Sequence, residues 1–312
     1  MALLANDLTK KYGDKTVLDH LSFKIEEPGV YALLGTNGAG KTTALRILLG
    51  MLNFEEGRVT WKGKPLDPTT SNVGYLPEER GLYPKYTIMD QLLYFAKLKN
   101  MPRKEAKEKI AYWSERLDVE DYVYPSKLKK NKKKFYTAEQ LSKGNQQKIQ
   151  LMIALLSDPE LLILDEPLSG LDPVNSDLFK SIIREEINKG KYLIMSSHQM
   201  PVIEEFCEDI TILNRGKTVL QGNLNEIKKG YGRVNLFLRC EGDILPIIKE
   251  YGLSLVSQSP MEYHIRVEEE ETATLLLRRL IEEQIPVIKF ELREPSLHEI
   301  FVEKVGVVDD EE

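Results

Sequence analysis

The segment GVYALLGTNGAGKTTALRILLGML, residues 29–52, decides the fold class predicted for this chain. Its first six residues are mostly apolar and predict a buried strand, whereas the apolar residues that follow Lys41 recur at helical spacing. Between them, GTNGAGKT at residues 35–42 matches the pattern G-x-x-x-x-G-K-[ST] and stands between a strand and a helix, as that motif requires. The segment therefore predicts a phosphate-binding loop at the carboxyl end of a strand.

The residue types of this loop suit a polyphosphate and a magnesium ion. Gly35, Gly38 and Gly40 let the backbone turn tightly, so that the amides of the loop and of the helix N-terminus point at the anion. Lys41 is expected to reach the β- and γ-phosphates, and the hydroxyl of Thr42 to ligate Mg²⁺. The nucleotide-binding positions predicted in this segment are Asn37, Gly38, Gly40, Lys41, Thr42 and Thr43.

A second segment, LLILDEP at residues 161–167, predicts where the acidic groups lie. Four apolar residues form a buried strand, and ligands of open α/β sheets bind at the carboxyl ends of strands. Asp165 is expected to hold Mg²⁺ through water, and Glu166 to orient and polarise the attacking water as a general base. His198 ends the apolar strand YLIMSSH, where it could contact the γ-phosphate and that water.

The order of segments predicts an α/β domain followed by a small α+β domain. Strand-like and helix-like segments alternate through residues 1–225, which indicates a mainly parallel sheet with helices on its faces. Within it, residues 79–157 are expected to form a helical subdomain. GNLNEIKKGYGR, residues 222–233, has the composition of a linker. Residues 226–312 follow the order β-α-β-β-α-β, which predicts a ferredoxin-like domain with an acidic tail.

Composition and charge exclude several classes of protein. The chain has 312 residues, 42% hydrophobic and 29% charged, with a net charge of −6, so nucleic acid is not expected as a main partner. Cys207 and Cys240 fit no metal-ligand spacing and predict thiols in a reducing compartment. Neither a secretory signal nor an apolar run of roughly 18–20 residues is present, so a membrane process would need another chain to cross.

The run KLKKNKKK, residues 127–134, stands out by its charge. Such a run is typical of a solvated loop. The alternative is a contact with acidic lipid headgroups or with an acidic loop of a partner.

With LSKGNQQKIQLMIALLSDP at residues 141–159, these motifs resemble the nucleotide-binding subunits of ABC transporters. The family signature commonly reads LSGGQ. Here it reads LSKGN, in which Ser142 and Gly144 match and Lys143 and Asn145 occupy variable positions. The loop opens a helix, whose free amides can hold an anion. The resemblance implies that Ser142, Gly144 and Asn145 contact the γ-phosphate of ATP bound to an opposite subunit, in a head-to-tail dimer.

Other elements of the family follow in order. Tyr12 occupies the position of an aromatic that stacks on adenine, although it could also be an ordinary strand-end aromatic. Asp172, in SGLDP at residues 169–173, matches the acid of the loop that links the two ATP sites. His198 matches the switch histidine. Glu78, in YLPEERGLYP, stands where glutamine is common, and its carboxylate can still bind Mg²⁺ or its waters.

The form YLPEERGLYP and the C-terminal EPSLHEIFVEKV are similar to a bacterial branch of drug-, peptide- and sodium-export ATPases. The resemblance implies a cytoplasmic subunit on the inner face of the cell membrane, which hydrolyses ATP with Mg²⁺ as a homodimer or with a close paralogue. It would power export by a separate transmembrane permease. The permease is expected to contact residues 79–95, where Leu82, Tyr83 and Tyr86 are candidate anchors unless they belong to the core of the helical subdomain.

Two other functions stay open from the sequence. A non-transport ABC ATPase could act on the ribosome or on DNA, but this chain carries one cassette, without the sustained heptads of an inserted coiled coil. A purely structural or regulatory subunit is the other alternative, and the filled catalytic positions argue against it. The transported substrate is expected to be set by the permease.

Overall fold

The structure, a computed structural model, describes residues 2–67, 70–79, 81–124 and 135–306. The basic run at 127–134 and the acidic tail at 309–312 lie outside the described residues, so the hypotheses about them stay predictions. The chain divides into two compact units, Met1–Gln221 and Gly222–Glu312.

The first unit is built from strands and helices that alternate along most of its length. Its strands are β1 (Leu3–Tyr12), β2 (Lys15–Ile25), β3 (Gly29–Gly35), β4 (Glu56–Trp61), β5 (Lys64–Pro65), β6 (Val73–Leu76), β7 (Leu161–Asp165), β8 (Tyr192–Ser196), β9 (Asp209–Asn214) and β10 (Lys217–Asn223). Its helices are α1 (Lys41–Leu48), α2 (Ile88–Leu98), α3 (Arg103–Arg116), α4 (Glu120–Val123), α5 (Lys143–Leu155), α6 (Pro173–Asn188) and α7 (Met200–Phe206), with a 3₁₀ turn at Ala138–Gln140.

A six-stranded sheet in the order β10-β9-β3-β8-β7-β6 forms the centre of this unit. The pairs β9–β3, β3–β8, β8–β7 and β7–β6 are parallel, which confirms the predicted parallel α/β sheet. All five residues of β7 are buried, because helices or the second sheet cover both faces of a parallel strand. Parallel pairing brings the carboxyl ends of β3, β6, β7 and β8 to the same edge of the sheet.

A second sheet, antiparallel and in the order β2-β1-β4-β5, packs beside the first. One hydrophobic cluster joins its inward side chains to helix α1 and to strands β3, β7 and β8. Leu8, Leu21, Leu45 and Ile163 are fully buried members of that cluster. Helix α1, which follows the phosphate loop, is therefore packed against residues of both sheets.

Helices α2 to α5 lie in the chain between the adjacent strands β6 and β7. Helix α5 packs tightly against β6 at Gly74, where an added Cβ would contact the backbone oxygen of Ala154 and lie 2.8 Å from Cδ1 of Leu162. A side chain at position 74 would push the helix away from the sheet, so glycine permits the observed packing.

The second unit contains α8 (Leu224–Tyr231), β11 (Asn235–Cys240), α9 (Leu245–Glu250), β12 (Ser254–Ser259), β13 (Glu262–Arg266), α10 (Glu270–Glu282), β14 (Val287–Arg293) and α11 (Leu297–Val305). Its strands pair antiparallel in the order β12-β13-β11-β14, with one core cluster formed between the sheet and helices α9 and α10. This arrangement confirms the predicted ferredoxin-like α+β fold.

The prediction of a linker at residues 222–233 is wrong, because most of this segment forms helix α8. Its glycines, asparagines and lysines gave the composition of a loop. Asn223 instead caps the helix: its Oδ1 accepts hydrogen bonds from the amides of Asn225 at 3.1 Å and Glu226 at 3.2 Å.

Candidate nucleotide-binding and hydrolysis site

The phosphate loop connects β3 to α1, as predicted. Gly40 precedes the helix with φ of +109°, and a Cβ at this position would lie 2.9 Å from the carbonyl oxygen of Val17. Only glycine fits this turn, because the backbone is left-handed and strand β2 lies directly against it. Asn37 and Gly38 are exposed in the loop, while Thr42 and Thr43 are half-buried in the first turn of α1.

Lys41 is buried beside the loop, and its Nζ donates hydrogen bonds to the backbone oxygens of Gly35 at 2.7 Å and Thr36 at 3.3 Å. Burial lowers the pKa of Lys41, and the charges of Glu166, Asp165 and Glu78 oppose that effect. The charges of the three predicted acidic groups thus act on the ammonium group, although β7 lies two places from β3 in the sheet and β6 three places.

Asp165 and Glu166 stand at the end of β7 and are both buried. Glu166 has φ of +49°, a conformation that L residues adopt rarely outside functional sites and turns. Burial raises the pKa of Glu166, while the contacts with His198 and Lys41 lower it. The carboxylate is therefore held in an environment typical of a general base.

His198 follows β8 and lies against Glu166, with its Nδ1 2.9 Å from Oε2 of the carboxylate. The imidazole side chain is 58% exposed, so its other edge faces solvent. The structure brings together the three predicted catalytic residues, Lys41, Glu166 and His198, although they are far apart in the sequence. Their geometry can support proton transfer from a water molecule.

Glu78 lies two residues beyond β6, and β6 pairs with β7 in parallel register. Its side chain is exposed, and its charge raises the pKa of both Lys41 and Glu166. Glu78 is therefore electrostatically part of the site, as expected for a residue at the position of the family's glutamine.

The signature loop opens helix α5, and Ser142 is its N-cap. The Oγ of Ser142 accepts a hydrogen bond from the amide of Asn145 at 3.3 Å, and Gly144 lies in the first turn. Asp172 caps helix α6 in the same way by accepting from the amide of Asn175 at 3.0 Å. That bond to the amide is the main factor that lowers the pKa of Asp172.

The signature loop and the SGLDP loop are neighbours through one side chain that the sequence did not single out. A Cβ at Gly144 would lie 3.2 Å from Nδ2 of Asn175, so the asparagine amide occupies the space over the signature turn. Asn175 thus contacts both Asp172 and the region of Gly144. The two N-termini of α5 and α6 form one surface.

Tyr12 ends strand β1 and is about half exposed, with Nζ of Lys10 5.4 Å from the centre of its ring. It belongs to the β1–β2 hairpin, whose Val17 lies against Gly40 of the phosphate loop. The ring of Tyr12 is thus available at the surface of this hairpin, and its stacking on adenine stays a prediction.

Two of the three candidate permease anchors are exposed, and their contact with a permease stays a prediction. Tyr83 and Tyr86 are exposed and contact each other edge to face at 5.8 Å, and Tyr94 beside them is also exposed. The expectation for Leu82 is wrong, because it is buried, 8% exposed. Among the described residues, no helix is both long and apolar enough to span a bilayer.

Comparisons with known proteins identify the family of this chain. The ABC transporter family profile matches residues 18–169, and the profile of the "ATP-binding protein DrrA1-3-like, C-terminal domain" matches residues 222–305. The chain is similar to the Bacillus subtilis "Uncharacterized ABC transporter ATP-binding protein YhaQ", with 44% identity over 98% of this chain and 99% of that protein.

Two other proteins extend the comparison. "Nod factor export ATP-binding protein I" of Rhizobium etli is 29% identical over 79% of this chain and 72% of its own. A solved "Structure of ATP binding subunit of ABC transporter" superposes with a TM-score of 0.66 at 27% identity, over 74% of this chain and 94% of that chain. Because a relative 44% identical over nearly the whole length bears that description, the chain belongs to the ATP-binding subunits of ABC transporters, a family that hydrolyses ATP.

Proposed function

We propose that two copies of this chain, or one copy and a close paralogue, bind two ATP molecules between them and hydrolyse them. Each ATP would lie between the phosphate loop of one subunit and the start of helix α5 of the other. The observation that supports this proposal is the meeting of Lys41, Asp165, Glu166 and His198 at one edge of the parallel sheet. Their charges and contacts suit phosphoryl transfer to water.

The oxygen groups around the loop fit a magnesium ion. Thr42 offers a hydroxyl, Glu78 offers a carboxylate, and Asp165 is bonded through Oδ1 to Ser196, which leaves Oδ2 for the ion or its waters. Mg²⁺ prefers such hard oxygen ligands and keeps several waters. When bound, the ion would neutralise charge on the β- and γ-phosphates.

The residues of the chain would divide the work of hydrolysis. Lys41 balances negative charge on the γ-phosphate. Glu166 accepts a proton from the attacking water while the water oxygen bonds to the γ-phosphorus and the bond between that phosphorus and the leaving ADP breaks. His198 orients Glu166 and contacts the γ-phosphate. The partner subunit's Ser142 and Gly144 close the opposite side of the phosphate. Neither surface suffices alone, so hydrolysis requires the dimer.

Dimer closure would drive export by a separate transmembrane permease at the inner face of the membrane. The name of the Rhizobium relative supports the direction of transport. The exposed tyrosines Tyr83 and Tyr86, in the loop before α2, and Tyr94, within α2, form an aromatic surface that would receive a cytoplasmic helix of the permease. The acidic net charge argues against nucleic acid as the partner.

Complementation between two defective variants tests the shared site. Lys41→Ala removes the phosphate-loop charge, and Ser142→Arg blocks the start of α5, so each variant alone should be inactive. A mixture forms some dimers in which one site is complete, and it should recover up to about a quarter of the wild-type rate. A mixture as inactive as its components, beside an active wild type, would show that the site is not shared.

Trapping of the closed dimer gives a second measurement. With MgATP, Glu166→Gln should run as a dimer in size-exclusion chromatography with light scattering, because it binds ATP but hydrolyses it slowly. Lys41→Ala is the matched control and should stay monomeric. A pull-down from native cells that recovers ribosomes or DNA, with no membrane protein, would instead favour a non-transport function.

A further inference from the structure

Ser196 is a fully buried polar residue between the phosphate-loop strand and the acidic strand. It ends β8, where the register pairs it with Leu33 of β3 on one side and Asp165 of β7 on the other. No family motif discussed above includes it. A buried hydroxyl is expected to make specific hydrogen bonds, and those of Ser196 involve both acids of the site.

The hydroxyl of Ser196 donates to Oδ1 of Asp165 and accepts from the amide of Glu166 at 3.2 Å. A serine hydroxyl has one proton to donate, and Asp165 receives it. The backbone oxygen of Ser196 accepts from the same Glu166 amide at 3.1 Å. One residue therefore holds the carboxylate of Asp165 and, through two acceptors, the backbone of Glu166.

These bonds fix a residue whose backbone conformation is unfavourable. Glu166 has φ of +49°, which an L residue keeps only when its surroundings hold it there. Its amide is fixed to Ser196, and this determines the direction in which its side chain leaves the strand. Asp165 is fixed in rotation about its carboxyl bond by the same hydroxyl.

We propose that Ser196 is a positioning residue for ATP hydrolysis, which orients the metal-binding carboxylate of Asp165 and the water-activating residue Glu166 together. The inference rests on the proposed function, because it assigns Asp165 to the ion and Glu166 to the water. Ser196 itself touches neither substrate nor ion. Its hydroxyl selects Oδ2 of Asp165 as the oxygen that faces the ion.

Removal of the Ser196 hydroxyl should separate the orientation of Asp165 from that of Glu166. In Ser196→Ala, Asp165 loses its partner and can rotate, whereas Glu166 keeps the bond from its amide to the backbone oxygen of residue 196. We therefore expect the Mg²⁺ concentration for half-maximal activity to rise and kcat to fall, with a combined loss of roughly 10- to 100-fold. Binding of ATP in the absence of Mg²⁺ should not change, since Ser196 makes no contact with the phosphate loop lysine.

The test measures ATPase rate against free Mg²⁺ and against ATP, and ATP binding in EDTA, for the full chain. Ser196→Thr keeps the hydroxyl and should restore the Mg²⁺ dependence. The thiol of Ser196→Cys is close to the serine hydroxyl in size but is a poorer hydrogen-bond donor. Its Mg²⁺ requirement should therefore lie between those of the wild type and Ser196→Ala. This variant replaces Ser196→Ala in the test if Ser196→Ala does not fold.

Thr211→Val is the matched control. Thr211 is a fully buried residue of β9 whose hydroxyl bonds Tyr31 at 2.6 Å, away from the acids. It should lower thermal stability without changing the Mg²⁺ requirement, which separates positioning from a merely structural role.

A wild-type Mg²⁺ requirement and kcat in Ser196→Ala, with Glu166→Gln inactive, would overturn the inference while the proposed function stands. The same holds if Thr211→Val raises the Mg²⁺ requirement as much as Ser196→Ala does. A wild-type chain that fails to hydrolyse MgATP would overturn the proposed function itself.

Discussion

The imidazole of His198 contacts the carboxylate of Glu166 across the ends of β8 and β7, with 2.9 Å between Nδ1 and Oε2. The His198 side chain is largely exposed and Glu166 is buried, so the pair connects the buried part of the site to solvent. A group in this position can sense the γ-phosphate on one side and direct the base on the other. The contact leads to the first two predictions.

Replacement of His198 by alanine should slow hydrolysis more than it weakens nucleotide binding. The imidazole contacts the base rather than the phosphate loop, so its loss removes orientation of Glu166. We expect kcat to fall by roughly 10²-fold or more, with KM for ATP changed severalfold at most. Steady-state kinetics check this, with His20→Ala, an exposed histidine of β2, as the control. A large rise in KM alone would assign His198 to binding.

The pH dependence of kcat/KM should report the raised pKa of Glu166. The base must be ionised to accept a proton, so activity is lost as pH falls through that pKa, at a higher pH than for an ordinary glutamate. Contact with His198 lowers this pKa. In the residual activity of His198→Ala, the acid limb should therefore move to higher pH. An unchanged or lower acid limb would mean that the titrating group is not Glu166.

Glu78→Gln restores the residue common in the family and removes one negative charge from the site. Less charge faces the ion, so the half-saturating Mg²⁺ concentration should rise, roughly severalfold to tenfold. Since the charge of Glu78 raises the pKa of Glu166, the acid limb of kcat/KM should move to lower pH. Glu79→Gln, an exposed neighbour, is the control, and equal effects of both variants would argue against a role for Glu78.

Gly74→Ala should destabilise the first unit by about 1–3 kcal/mol, because the new methyl group overlaps the backbone of Ala154 and the side chain of Leu162. The displaced helix is α5, which carries the signature loop, so ATPase activity should fall as well. Gly81→Ala is the matched control, since its Cβ would have only an ordinary contact at 3.6 Å to Nε2 of Gln150. Thermal melting and ATPase assays check both. Equal melting temperatures would contradict the packing argument.

Tyr86→Ser should reduce attachment to the membrane while ATP hydrolysis by the isolated chain is unchanged. Tyr86 is among the most exposed aromatics and lies outside the hydrolytic site. Loss of a central aromatic anchor costs about 1–3 kcal/mol, or roughly tenfold or more in affinity. The measurement is the fraction of the chain that sediments with membranes from its own cells. Tyr112→Ser, on α3 and similarly exposed, should sediment like the wild type.

Two parts of this site could be predicted because the residues that form each of them are contiguous in the sequence. The phosphate loop and the strand that ends in Asp165 and Glu166 have local patterns that determine both backbone and chemistry. Ser196 could not be found in this way. Its role depends on the register between β7 and β8, and a serine in a strand has no distinctive local signal.

The paired strands β1 and β2 were hard to predict for a different reason. Strands β1 and β2 pair with several register shifts, and Asp7 and His20 have positive φ, so the alternation of apolar residues is interrupted. Leu82 and Tyr83 are adjacent in the same loop, yet one is buried and the other exposed. Such a difference depends on tertiary packing, and composition cannot distinguish it.

The parallel pairing of β6 with β7 matches Leu76 to Leu164, and this register holds Glu78 near Asp165 whatever the chain does between them. The whole helical segment leaves the sheet from one strand and returns on its immediate neighbour. Insertions, deletions or rebuilt surfaces within helices α2 to α4, which precede the signature loop, would consequently alter which membrane protein the subunit recognises without disturbing the spacing of the hydrolytic groups. The architecture separates the evolution of partner choice from that of the chemistry, so chimaeras that exchange α2 to α4 but retain α5 and its signature loop should keep their ATPase centre.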